Sequence, residues 1–169
     1  KAARGCVRVM DPIYRDAPYL SDYPIYEGEL ELYGISHPEQ VMAQPVNNEK
    51  LMRSIFGASP TNDWCYYYQR ADLARQLQDW ESIPRFYQQA QEGGYLPYNG
   101  TELVPFIEGF AMAADWQQAV RLSGEAASMS EGVDKVLCQT WSRIIEQTGA
   151  SAEAGKAAAE ATSVLDCRP

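Results

Sequence analysis

From Asp63 onward, apolar positions recur every three or four residues, the period of helices that bury one face. This spacing predicts a helix over Asp63–Leu77 and a second from Asp79 or Ser82 to Glu92, ended by Gly93-Gly94. A third is predicted over Thr101–Ala113 and a fourth over Asp115–Ser128. The fifth is the clearest: Val133, Val136, Leu137, Trp141, Ile144, Ile145 and Thr148 fall on one stripe, with Ser130 before it and Gly149 after. An Ala-rich sixth, shorter or frayed, is expected over Ser151–Thr162. On the first helix, Tyr66, Leu73 and Leu77 fall on one side and Trp64, Tyr68 and Ala71 nearly opposite. Two apolar stripes predict a helix squeezed between neighbours, with the aromatic run Trp64–Tyr68 mostly inside.

Before residue 60 the pattern is different. Cys6–Met10 alternates as a short strand does, and Ile25–Gly34 sets Glu27, Glu29 and Glu31 against Tyr26, Leu30 and Leu32, the period of a half-exposed strand. Ser36 and Pro38 predict a single helical turn, and 47–57 a short helix ending at Gly57. Residues 1–60 are expected to be an irregular segment packed on a helical domain of residues 61–169. Pro84 and Pro105 are compatible with helices only near a start, because an interior proline costs about 3 kcal/mol. Pro105 meets that condition if Thr101 caps its helix, and Pro84 if Ser82 caps its own.

A chain of 169 residues is long enough for one domain with a real core. Its net charge of −9 argues against a nucleic-acid partner, which needs a basic face, and against docking on an anionic membrane. No apolar run approaches the ~20 residues that span a bilayer. The chain begins KAARGCVRV, without an initiator methionine or a signal-peptide pattern, so a fragment of a longer protein is expected. Four cysteines, Cys6, Cys65, Cys138 and Cys167, are widely spaced, with no CxxC pair and a single histidine, His37. A zinc site is poorly supported; buried thiols and two disulfides, in any of three connectivities, both fit.

Asp79-Trp80 and Asp115-Trp116 lie one repeat apart, and the match extends around them. Ile83, Arg85, Phe86 and Ala90 fall opposite Ala119, Arg121, Leu122 and Ala126, and Asp72 falls opposite Glu108. A period in the mid-thirties with two helices per unit is the signature of a helical solenoid. The chain here resembles the tetratricopeptide repeat (TPR): Trp80, Ile83, Tyr87 and Ala90 fit its second-helix slots, as do Trp116, Ala119 and Ala126. It departs from that pattern at Ser123, which stands in an aromatic slot, at Ile83, which is larger than the usual alanine, and at the first-helix glycine, which is Ala71 in one copy and displaced to Gly109 in the other. The turn proline is absent, with Pro97 a late substitute. The resemblance implies a mainly α, TPR-like helical-repeat domain (an α-α superhelix), with repeats over about 63–98 and 99–130 and a degenerate third pair over 131–163.

The runs CVRVMDP, WCYYYQRADLARQLQDW and LVPFIEGFAMAADWQQA are also similar to the soluble C-terminal region of large multi-spanning bacterial membrane proteins described as glycosyltransferase-like or dolichyl-phosphate-mannose-mannosyltransferase-like. That resemblance implies an extracytoplasmic location, tethered through an upstream membrane region absent from this chain, and disulfide-bonded cysteines. Cys65, on the first helix, could then bond to Cys6 of the covering segment; that bond and one between Cys138 and Cys167 would staple both ends, as one of the three connectivities.

No catalytic constellation, metal site or cofactor site is read from the chain. Glu27, Glu29 and Glu31 read as a solvated face rather than a calcium site, and His37 as a loop residue. Arg70, Arg75, Arg85 and Arg121 read as ion-pair partners or snorkelling side chains rather than phosphate clamps. Asn99-Gly100-Thr101 fits a glycosylation sequon but is accounted for as a turn and cap. The candidate binding residues are Tyr67, Asp72, Arg75 and Glu108: matched carboxylates on successive first helices would form an acidic groove for a basic peptide. The expected function is a non-catalytic protein-interaction or scaffolding module, its partner a peptide, a protein or the upstream membrane domain. The alternative is a glycan-binding accessory that uses exposed tyrosines.

Overall fold

The computed structural model describes residues 5–6, 54, 63–149, 151–165 and 167. Among them are six α-helices and no strand: α1 (Trp64–Gln76), α2 (Ser82–Glu92), α3 (Val104–Met112), α4 (Trp116–Met129), α5 (Asp134–Thr148) and α6 (Ala152–Val164). A 3₁₀ turn over Gly100–Leu103 runs straight into α3. The two expected strands and the turns before residue 60 lie outside the described residues, apart from Cys6 and Ser54.

Short polar side chains start several of these helices. Asp63, Asp115 and Ser151 accept hydrogen bonds from the N–H groups of Tyr66, Gln118 and Ala154, satisfying donors that no helical carbonyl reaches. Pro84 and Pro105 both fall in a first turn, where the missing N–H is no loss. The caps differ from expectation at three places. Asn99, not Thr101, caps the 3₁₀ turn. Ser82 is the first helical residue of α2 rather than its cap, and Ser130 does not start α5: it is the C-cap of α4, and its hydroxyl accepts the Gly100 N–H, 2.9 Å away. Helix α6 is not frayed; it runs to Val164 and buries Ala154, Ala157 and Ala161.

The turns after α1 and α3 share one hydrogen-bond pattern. Asp79 N–H donates to Ala74 O and Gln78 N–H to Arg75 O; 36 positions on, Asp115 N–H donates to Phe110 O and Ala114 N–H to Ala111 O. These are the two reverse bonds that close a helix on a left-handed residue, and Gln78 (φ 57°) and Ala114 (φ 61°) are those residues. Each turn then delivers an Asp-Trp pair to the next helix. Connections this short make α1 and α2, α3 and α4, and α5 and α6 neighbours, and successive pairs stack so that α1 meets α3, α3 meets α5, and α4 meets α6.

The core follows the same register. In α2, Ile83, Tyr87 and Ala90 are buried; in α4, Ala119, Ser123 and Ala126 are. Where Tyr87 fills its site and contacts Phe106 and Phe110, Ser123 receives the indole N–H of Trp141 from α5 at 3.0 Å. The ring missing at Ser123 is supplied by the next pair. Gly109 has an equally local reason: a Cβ there would overlap the Ile83 side chain, so the glycine of α3 makes room for the large residue of α2.

The first helix corrects one expectation. Trp64, Tyr67, Tyr68 and Ala71 are buried as an aromatic interior requires, but the stripe of Tyr66, Leu73 and Leu77 is not: Tyr66 is 38% exposed and Leu77 55%. The buried face continues instead through Asp72, Ala74 and Arg75. Two charged residues that neutralise each other can occupy an interior face that apolar spacing alone does not reveal.

Candidate functional site

The largest concentration of charge among the described residues lies along the α1–α3–α5 row. Arg75 donates from Nη2 to Asp72 Oδ1 at 2.7 Å, one turn back on α1, and from Nη1 to Glu108 Oε2 on α3 at 3.1 Å. Glu108 accepts on its other oxygen from Arg143 of α5, Nη2 at 2.6 Å and Nε at 2.9 Å. Arg143 also reaches Thr140 Oγ1. Asp72, Arg75 and Glu108 are each no more than 3% exposed, while Arg143 is half-buried. Two carboxylates and two guanidiniums cancel, which is what permits their burial.

The acidic groove expected from Asp72 and Glu108 is therefore filled from within. Both Glu108 oxygens are occupied by arginines of the same chain, and α3, which carries it, is buried from Val104 through Ala111. Tyr67, expected beside the groove, is 9% exposed and packs against Tyr66 (5.1 Å) and Tyr95 (5.9 Å). Arg143 was missed by sequence reasoning. Its signal was its place next to the apolar stripe of α5, one turn beyond Thr140 and beside Ile144, where a solvated arginine is out of register.

A second polar centre surrounds Glu102, at the end of the 3₁₀ turn. Its carboxylate accepts the backbone N–H of Cys6 on Oε1 and of Tyr98 on Oε2, both at 2.9 Å, and the side-chain amide of Asn99 at 3.3 Å. Burial pushes the Glu102 pKa above its ordinary value, against the opposing pull of the Tyr98 and Cys6 amides, the Trp64 indole and Asn99. The indole N–H is buried close enough to favour the charged carboxylate, yet outside hydrogen-bond geometry. Cys6 is thus held twice, by this carboxylate and by a disulfide to Cys65 on α1. At the other end, Cys138 on α5 is bonded to Cys167 beyond α6. No described cysteine is free. Of the three connectivities open to the sequence, this is the one that staples both ends.

The remaining candidates are surface or turn residues. Arg121 pairs with Glu125 on the exposed face of α4 and also reaches the Tyr87 hydroxyl at 3.3 Å. Arg70 lies over the Phe86 ring at 4.8 Å and donates to the Tyr66 hydroxyl. Arg85 donates to Ser82. Glu27, Glu29, Glu31 and His37 lie outside the described residues. No described helix is long and apolar enough to cross a membrane. Compared with known proteins, the chain matches no protein-family model, no curated protein and no solved structure.

Proposed function

We propose that this chain is a non-catalytic protein-interaction or scaffolding module that works outside the cytoplasm. The six helices are read as TPR-like pairs over about 63–98, 99–130 and 131–163, and their partner as a peptide or protein segment, the upstream membrane region of the same protein included. The observation that carries this reading is the serial stacking of helix pairs whose interior charges are already satisfied. Such a stack spends its buried polar groups on rigidity and offers partners its outer helical faces. The two disulfides are compatible with an oxidising compartment.

The test is photo-crosslinking in the native host, with the probe placed in turn at the exposed positions Gln88, Gln117 and Glu160 of α2, α4 and α6. A discrete protein adduct from at least one position is the expected result. The glycan reading has one observation in its favour: Tyr66 and Tyr98 are exposed at 38% and 46%, and rings run from Tyr66 through Tyr67 to Tyr95. No protein adduct at any position, together with oligosaccharide binding that is lost in Tyr66→Ala or Tyr98→Ala, overturns the protein-interaction reading in favour of that one.

A further inference from the structure

Asn99-Gly100 is the dipeptide in which an asparagine side chain is most open to attack by the following backbone nitrogen, since glycine adds no Cβ to hinder it. Here both reacting groups are engaged elsewhere. The Gly100 N–H points at Ser130 Oγ, 2.9 Å away and 30 residues along the chain. The Asn99 carbonyl oxygen accepts from the Thr101 hydroxyl at 2.6 Å and from the Glu102 N–H at 3.3 Å, while its amide nitrogen donates to Glu102 Oε1 at 3.3 Å. Gly100 cannot swing toward the Asn99 side chain freely, because it is buried so closely against the Ala126 carbonyl that even a Cβ would overlap it.

We propose that Asn99 is a latent deamidation site, held off by Ser130 and the Asn99 cap and released when this turn opens. In the open turn the deprotonated Gly100 nitrogen attacks Asn99 Cγ, forming the N–C bond of a succinimide, and the side-chain nitrogen leaves as ammonia. Water then opens the ring at one of its two carbonyls, giving aspartate or isoaspartate at position 99. Either product replaces the amide of half-buried Asn99, which donates to Glu102, with a second carboxylate beside that buried one. Glu102 is the group that holds the Cys6 amide, so the reaction loosens the non-covalent hold on Cys6 while leaving the disulfide to Cys65 intact. The same contacts close the sequon of which Asn99 is part, since the Thr101 hydroxyl and the Asn99 amide are turned into the protein.

The experiment incubates the oxidised full chain at mildly alkaline pH, with and without denaturing urea, and follows position 99 by peptide mapping and isoaspartate detection. The folded chain is expected to react slower than the unfolded one by about tenfold or more, the factor being set by how rarely the turn opens. Ser130→Ala, checked for native circular dichroism, is expected to react faster than the parent chain in the folded state. Equal rates in folded and unfolded parent chain overturn the proposal, as does a folded Ser130→Ala that reacts no faster than the parent. If Ser130→Ala does not fold, the comparison of folded and unfolded parent chain decides alone.

Discussion

Arg75 and Glu108 form an ion pair at 3.1 Å between α1 and α3, with 1% and 4% of their side chains exposed. Taking two charges from water costs several kcal/mol each, so the pair is stable only as part of its neutral set with Asp72 and Arg143. Glu108→Gln leaves two guanidiniums facing one carboxylate and is expected to cost about 3–5 kcal/mol. Urea unfolding of the single variants and of Asp72→Leu/Arg75→Met checks this. The double variant, which removes one charge of each sign and leaves the Glu108–Arg143 pair intact, is expected to be more stable than Glu108→Gln. A Glu108→Gln loss below about 1 kcal/mol is what an exposed pair gives and contradicts the burial.

Gly109 and Ile83 form a second coupled pair. Alanine is favoured over glycine in a helix by about 1 kcal/mol, yet Gly109→Ala is expected to destabilise by about 1–3 kcal/mol because its Cβ meets Ile83. Ile83→Ala alone should cost about 2–5 kcal/mol, but the double variant should cost less than the two single losses summed, since the new methyl enters the space vacated. Additive costs in the double-mutant cycle would show that the two residues do not share one site.

Ala114 and Gln78 hold positive φ angles of 61° and 57°, a conformation that costs a residue with a Cβ about 1–2 kcal/mol. Ala114→Gly is expected to stabilise by up to about 1 kcal/mol after the greater freedom of glycine in the unfolded chain is subtracted. Ala113→Gly, one position earlier at φ −82°, should instead destabilise. Thermal midpoints of the two variants should move in opposite directions.

The disulfides close spans of 59 and 29 residues, and restricting the unfolded chain in this way is worth about 4 and 3.5 kcal/mol respectively. A thiol titration of oxidised, denatured protein should find no free thiol before reduction, and peptide mapping should recover Cys6 with Cys65 and Cys138 with Cys167. Cys6→Ser/Cys65→Ser is expected to lower the urea midpoint and also to speed hydrogen exchange at the Tyr98 amide, which shares the Glu102 carboxylate with Cys6. Four titratable thiols in oxidised material would sink the pairing.

Glu102 makes stability depend on pH in a direction opposite to most carboxylates. Because burial raises its folded pKa above 4.5, the folded chain binds more protons than the unfolded chain between 4.5 and that raised value. Its contribution is therefore fully present below pH about 4.5 and declines as pH rises through the folded pKa. Urea midpoints of the parent chain and of Glu102→Gln, taken across that window, should show the parent losing stability relative to the variant. A difference that stays constant with pH rejects the assignment.

The helices were legible because their signals are local. Apolar spacing and the Asp-Trp turns depend on residues within a few positions of each other, so all six helices were found within a few residues of their ends. Distant partners were not legible. Ser130 looks like a helix cap until Gly100 is brought to it, Ser123 looks like a vacant aromatic slot until Trp141 fills it, and Ser82 differs from a cap by one residue.

What the sequence determined by itself is where the chain is helical, which turns repeat, and that Asp72 and Glu108 hold matched positions on neighbouring helices. Only the tertiary structure decided whether those carboxylates face water. Charge carries no periodic mark of its partner: Arg75 is a turn from Asp72 and Arg143 is two helices on from Glu108, and only the convergence of both arginines on Glu108 turns an acidic groove into a neutral, buried set. The cysteines divide in the same way. Their even number and wide spacing belong to the sequence, while the choice among three pairings depends on Cα atoms brought to 5.1 and 5.7 Å when the segments carrying Cys6 and Cys167 fold back onto the helices of Cys65 and Cys138.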